Sequence, residues 1–342
     1  MSIDLSRVTG ISDSRGVITE IKDSLGRVIW AVSGGKAVLM VEKITSDTYA
    51  GETTYTGEQF ILLNVYPKTN GTVKVTYGGL TKTITDTSGV AEPNAQQVFF
   101  GTFNGVSDSV ATPASGKLTI DGDYYAFGTG LYKPEKAANN NCACITKVRA
   151  WGQAEVIPRE AFEVFSYEGP GLTGHLVISS TIKGIEDYAF SFSKISGVTI
   201  ASSVRYIGDS AFANSSISGD LIIPSSVETI GDSAFSACAK LTNVTIGEGV
   251  SLIGSSAFLR TTPISANGFQ KVTILSRTPP TLTMKNGKDE SGNPVSYYNT
   301  FGLVGDDRFF LPERIIVPQG CGDVYKSAAG WSVYASLITE ES

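Results

Sequence analysis

One histidine, His175, stands in 342 residues, beside four cysteines and three methionines. A zinc site needs two close cysteine pairs or added histidines. Among Cys142, Cys144, Cys238 and Cys321 only the first two are close, as C-x-C, so no metal and no cofactor is expected. Charge is scarce as well. Asp, Glu, Lys and Arg make up 18% of the chain and the net charge is -6. Without a basic footprint, nucleic acid is not an expected partner. No run approaches the roughly 20 apolar residues of a membrane-spanning helix, so membrane insertion is not expected either. The opening "MSIDLSRVTG" has no basic-then-apolar secretory pattern, so export by the usual signal is not expected.

Catalytic constellations are missing too. His175 lies in "TGHLVI", at a strand start, and no G-x-S-x-G motif accompanies it. A glycan depolymerase would need two carboxylates about 5–10 Å apart, and the repeated strands described below supply almost none. Asp121 with Asp123, and Asp306 with Asp307, complete no calcium loop and read as turns. The chain is therefore expected to be non-enzymatic.

What is present is repetition. "IGDSAF" starts at Ile207 and again at Ile230, and "IGSSAF" at Ile253. Phe162, Phe190, Phe212, Phe235 and Phe258 each follow an alanine, at steps of 28, 22, 23 and 23 residues. Ile157, Ile185, Ile207, Ile230 and Ile253 keep the same steps, and a downstream line runs Ile178, Ile200, Ile223, Ile246, Ile274. A catalyst needs one site, not five, whereas a packing unit must recur when no copy can bury its apolar set alone. Within one turn, Leu241, Val244 and Ile246 fit L-x-x-L-x-L, with Val244 and Ile246 on one strand face. Ile230 and Ala234 share one face of a short helical turn beside Phe235, with Asp232 or Ser233 as its cap and Gly231 permitting the bend.

The pattern I-G-x-x-A-F, L-x-x-V-x-I, V-x-x-I resembles the BspA-like leucine-rich repeats, in five copies from Ile157 to Ile274. The resemblance implies a solenoid and a structural role for Cys238. "PREAFEVFSYEGPGLTGHLVI" departs from the pattern, as an N-terminal cap would. "RIIVPQGCGDVYKSAAGWSVYASLI" looks like the family's last strand and closing helix. Val324, Ala328, Trp331, Tyr334 and Leu337 form its expected apolar face, with Trp331 as core.

Residues 37–135 read as about seven short strands, "AVLMVEKI" to "DYYAFGTGLY", which suggests an antiparallel β-sandwich, immunoglobulin-like in strand number but without a Cys-Trp-Cys signature. "KPEKAANNN" (Lys133–Asn141) reads as a linker. "GVITEIKDSLGRVIWAV" gives a hairpin around "DSLGR", marginal alone and therefore expected to dock on something else through Val17, Ile18, Ile21, Val28, Ile29 and Trp30. This string resembles short N-terminal segments of bacteriophage virion-associated proteins, in which BspA-like repeats also occur. The expected fold is thus mainly β: an attachment hairpin (1–32), a sandwich (33–141), and repeats (142–342) with an irregular insert (276–314) and a helical cap (315–342).

Counting outward from the buried strand positions puts Val177, Thr199, Ile222, Thr245 and Thr273 in one small, uncharged column. The insert gathers Tyr297, Tyr298, Phe301, Phe309 and Phe310, which either pack it onto the repeats or form a contact surface. The resemblance implies a structural protein of a virion, in a tail or head appendage. Its partners would be other virion proteins through the N-terminal segment, further copies of itself, and host cell-surface glycan or protein. A bacterial cell-surface adhesin and a surface-glycan depolymerase are the competing readings. Of the two contact candidates, the insert is the favoured one, because it escapes the spacing that regular turns must keep.

Overall fold

The computed structural model describes residues 20–22, 28–31, 36–41, 60–87, 95–103, 106–107, 116–129, 145–164, 171–260, 270–288, 294–303 and 311–341. Val17, Ile18, Phe309, Phe310, Cys142, Cys144, the linker and the "DSLGR" turn lie outside them. The expected hairpin is present as β1 (Glu20–Lys22) and β2 (Val28–Ala31), with Ile21 opposite Trp30 and Lys22 opposite Val28.

Two antiparallel sheets follow. Their strands are β3 (Ala37–Val41), β4 (Phe60–Pro67), β5 (Thr72–Tyr77), β6 (Leu80–Thr85), β7 (Gln96–Phe103), β8 (Val106–Ser107), β9 (Gly116–Gly122), β10 (Tyr124–Gly128) and β11 (Ile145–Trp151). One sheet has the order β10-β4-β7-β8 and the other β11-β3-β9-β5-β6. Alternation builds them. Val73, Val75 and Tyr77 point inward from β5, Leu118 and Ile120 from β9, Leu63 and Val65 from β4, and Val98 and Phe100 from β7. The strand that closes the five-stranded sheet, β11, comes from beyond the expected linker and pairs with β3.

From β12 (Val156–Ile157) onward the chain repeats. Short strands β14 (Gly184–Ile185), β16 (Tyr206–Ile207), β18 (Thr229–Ile230), β20 (Leu252–Ile253) and β22 (Thr281–Leu282) continue β12 as one six-stranded parallel ladder. Long strands alternate with them: β13 (Thr173–Val177), β15 (Lys194–Thr199), β17 (Ser218–Ile223), β19 (Lys240–Ile246) and β21 (Lys271–Ile274). The hairpin β23 (Lys285–Lys288) and β24 (Pro294–Tyr297) interrupts the series, and β25 (Arg314–Val317) and β26 (Ile338–Glu340) end it. The long strands also pair in parallel, as β13-β15 and as β17-β19-β21-β25-β26.

Between the two ladders the phenylalanines stack. Phe162, Phe190, Phe212, Phe235 and Phe258 lie 5.1–5.7 Å apart, centroid to centroid. A sixth ring, Phe301, continues the column 5.8 Å from Phe258 and is fully buried. That corrects the expected insert, which holds a whole further turn. Leu282 replaces Ile253 in the short ladder. Nineteen residues then separate Leu282 from Phe301, where five separate Ile253 from Phe258. Phe301 is core, not a contact residue.

The turn around each phenylalanine is not helical. Glu160, Tyr188, Ser210, Ser233 and Ser256, two residues before each ring, have φ of 54–58°. This left-handed conformation costs a non-glycine residue of order 1 kcal/mol. In return it turns backbone N–H groups toward the next repeat. The residue at each ring donates to the residue before the next ring, so Phe162, Phe190, Phe212, Phe235 and Phe258 reach Ala189, Ala211, Ala234, Ala257 and Thr300 at 2.7–2.9 Å. Asp232 caps the following repeat and not its own, accepting from the Ser255 N–H at 2.7 Å, while Asp209 accepts from the Asp232 N–H at 2.8 Å. Gly231 is needed for this close approach, since a Cβ there would meet Asp209.

Both ends of the column are closed. At the first repeat, Trp151 and Phe127 of the sheet pair sit on Phe162, with centroids 6.0 and 6.3 Å away. The expected N-terminal cap around Phe162 is therefore a regular turn, and the sheet pair covers it. Thr129 extends the hydrogen-bond ladder backward, its N–H and hydroxyl both donating to the Ala161 carbonyl at 2.7 and 2.8 Å. At the other end, α1 (Gly322–Ser327) and a 3-10 helix (Ser332–Leu337) fold over Phe301. The covering rings are Tyr325, Trp331 and Tyr334. The expected face included Val324, which is 52% exposed, because the chain leaves the α-helix at Ala328 and turns at Gly330, where φ is +80°. Among the described residues no helix is long and apolar enough to cross a membrane.

Candidate contact surface

The strand register places the proposed column as expected. Val177 pairs with Thr199, Ile222 with Thr245, Thr245 with Thr273, and Thr273 with Ile316. The ladder breaks between β15 and β17, and the Ser218 hydroxyl spans the break by donating to the Ser196 carbonyl at 3.1 Å. Neighbouring positions on these strands are core: Leu176, Val198, Leu221, Val244 and Val272 are buried. With alternate residues fixed inside, the column has to face out. Ile222, at 65%, is the most exposed of the large hydrophobic side chains on the described surface, with Thr199 exposed and Thr245 half-buried beside it. Polar side chains flank it. The Asn243 amide donates to Asp220 at 2.6 Å, and His175 Nε2 shares a 2.7 Å hydrogen bond with the Thr199 hydroxyl. The arrangement sets one imidazole against one hydroxyl at its edge. It offers a flat, mostly uncharged strip on a rigid backing.

Among its described residues, the insert offers less surface than its aromatic content suggests. Phe301 belongs to the column of rings. Tyr298 is half-buried against the core, with its ring beside Gly330. Tyr297, opposite Lys285 in the hairpin, is half-exposed, and Met284 is 53% exposed. Of the attachment residues, Ile21, Val28, Ile29 and Trp30 lie in the paired strands β1 and β2.

The two described cysteines are structural in their setting. Cys238 is fully buried, and its thiol donates to the Phe212 carbonyl at 3.1 Å. Burial pushes that thiol up to about 11, so it is a neutral donor and not a nucleophile. Cys321 is buried at the start of α1.

Sequence reasoning missed a second group of surface residues, at the junction of the sheet pair and the first repeats. Tyr66, Tyr125 and Tyr206 gather there around Glu186, with Glu155 held between Lys68 at 2.7 Å and Lys183 at 2.6 Å. The two lysines lower the Glu155 carboxyl below the usual carboxylate range. These residues come from β4 and the turn after it, β10, β16, the turn before β12 and the two sides of β14. No linear motif joins them, so only the fold could reveal the group.

Comparison with known proteins bears on the repeats. Residues 162–278 match the family model described as "BspA type Leucine rich repeat region", in six copies. A crystal structure of the pneumococcal vaccine antigen PcpA is similar at 24% identity and a TM-score of 0.35, covering 49% of this chain and 37% of that one. The chain thus spans little more than a third of that protein's length. No curated protein matches.

Proposed function

We propose that this chain is a non-enzymatic structural protein of a bacteriophage particle, in a tail or head appendage, and that it presents its leucine-rich repeats to the host cell surface as an adhesin. In this reading the repeats form a solenoid, the sheet pair is an immunoglobulin-like spacer, and the β1–β2 hairpin anchors the protein to other virion proteins. Several copies act together in the particle.

The supporting observation is Ile222, exposed in the middle of the strand column. An apolar side chain at the centre of a flat strip, rimmed by hydroxyl, amide and carboxylate groups, has the anatomy of a recognition patch. We favour the column over the insert, because Phe301 and Tyr298, among the insert's described rings, serve the core. A stack tied by three hydrogen-bonded ladders holds the strip in shape before it meets a partner, which reduces the entropy lost on binding.

Binding of labelled protein to host cells tests this reading. Ile222→Lys should abolish it with the melting temperature unchanged, and Tyr297→Ala should leave it intact. If Ile222→Lys binds normally, the recognition surface lies elsewhere. Assembly of a variant lacking residues 1–32 tests the anchor, since normal occupancy on the particle would contradict it.

A further inference from the structure

Most of the described aromatic rings pack against one another. Tyr77 meets Phe100, Phe127 meets Trp151, and the phenylalanine column runs between its two caps. Among the described residues, Tyr66, Tyr125 and Tyr206 take part in none of these ring contacts. Tyr206 is 36% exposed and Tyr66 and Tyr125 are partly exposed, each on the outside of its strand beside a buried neighbour: Ile207, Val65 and Tyr124 respectively. Their placement follows from three local features. Tyr125 sits where the pairing of β10 with β4 slips, between Tyr124 opposite Pro67 and Ala126 opposite Tyr66. Such a bulge re-aims a side chain. Tyr125 also lies against the repeats, since its carbonyl accepts the Glu155 N–H at 2.8 Å. Tyr206 pairs with Gly184, and its ring lies over that glycine, where any Cβ would collide with it. The missing side chain at 184 lets the ring lean back toward the sheet pair.

The charges around these rings nearly balance. Lys68 and Lys183 both bind Glu155, Arg159 lies 3.3 Å from Asp187 and 3.4 Å from Glu160, and one Glu186 oxygen accepts the Arg159 backbone N–H at 2.8 Å. Carboxylates and cations in nearly equal number beside aromatic faces suit a ligand with many hydroxyls and no charge. Burial first, and then the Glu186 carboxylate, raise the pKa of all three phenols, so they remain protonated donors.

From this geometry we infer that Tyr66, Tyr125 and Tyr206, with Glu186 and the Lys68–Glu155–Lys183 bridge, form a binding site for a neutral glycan. The tyrosine rings take the apolar faces of pyranose units, and the flanking carboxylates and ammonium groups hydrogen-bond their hydroxyls. The site is separate from the strand column, being on the short-strand side of the stack, and it does not depend on where the protein is displayed.

Affinity electrophoresis of the full chain, in gels cast with mannan, xylan or dextran, tests the inference, with polygalacturonate as the charged control. At least one neutral polysaccharide should slow migration. Tyr125→Ala and Tyr206→Ala should each weaken that retardation about tenfold, the loss of one aromatic platform, with the melting temperature held. Tyr206→Phe should retain more binding than Tyr206→Ala, and it keeps the test valid if an alanine variant fails to fold. No retardation in any neutral gel, retardation by polygalacturonate alone, or binding that survives both alanine substitutions would overturn the site. Ile222→Lys should leave this retardation intact, so the result stands or falls independently of cell adhesion.

Discussion

The phenylalanine column meets Trp151 and Phe127 at one end and Trp331 and Tyr334 at the other. Inside it, successive rings are nearly parallel, at 1–16°. At the ends the angle opens, to 80° and 82° on Phe162 and to 50° and 74° on Phe301. A parallel stack leaves an electron-rich ring face at each end, and the positive edge of another ring is the favourable partner for it. Each terminal tryptophan also donates its indole N–H to a backbone carbonyl of the nearest repeat, Trp151 to Val177 at 2.8 Å and Trp331 to Pro280 at 2.7 Å. Two unrelated pieces of sequence thus reach one solution. They differ in what carries the rings. The C-terminal cap is a short segment folded over the last turn, whereas the first turn is closed by strands of the two-sheet region. That region is a cap of the repeats as well as a fold with its own core.

The largest effect should come from the middle of the column, where each ring has neighbours on both faces. Phe212→Ala should cost about 3–5 kcal/mol, measured by urea unfolding, and should uncouple the repeats on either side. A cost under about 1 kcal/mol would mean the column carries little of the stability. The ends come next. Trp151→Leu and Trp331→Leu each remove a covering ring and an indole hydrogen bond while keeping apolar volume, for about 2 kcal/mol. The two should agree within about 1 kcal/mol, and a marked loss at Trp331 with none at Trp151 would break the equivalence of the ends. Thr129→Val removes the hydroxyl bond to Ala161 but keeps the N–H bond, and should cost about 0.5–1.5 kcal/mol. The smallest effect is one of pH. Glu155, whose pKa is lowered by Lys183 and Lys68, stabilises the junction fully above the unfolded glutamate pKa of 4.5 and loses that contribution as pH falls through its lower folded value. Glu155→Gln should flatten this acid limb of the stability curve. An unchanged limb would show that the bridge contributes nothing.

The repeats were legible in the sequence because packing forces one residue type to return at one spacing. Five rings, their isoleucines and the outward strand positions followed from that rule. Phe301 was hidden because a hairpin grows inside its turn and breaks the count. Glu160 and Tyr188 carry no sign of a left-handed backbone, since neither is glycine or asparagine and the hydrogen bonds that hold them come from the next repeat. The cap was read one residue off, choosing Val324 over Tyr325, because the segment changes from α to 3-10 geometry at a turn that helical spacing ignores. Trp151 and Phe127 occur once each, outside any period, so their role as an end piece appears only in three dimensions. The tyrosine group is scattered over more than a hundred residues and shares no pattern.

Calorimetry of the full chain and of Phe162→Ala tests the continuity of the two regions most directly, since Phe162 is the ring at which they meet. If the sheet pair and the repeats form one body, the wild-type chain melts in a single transition, and Phe162→Ala moves all of it to lower temperature. Two separate transitions, with only one of them displaced by Phe162→Ala, would contradict a shared core.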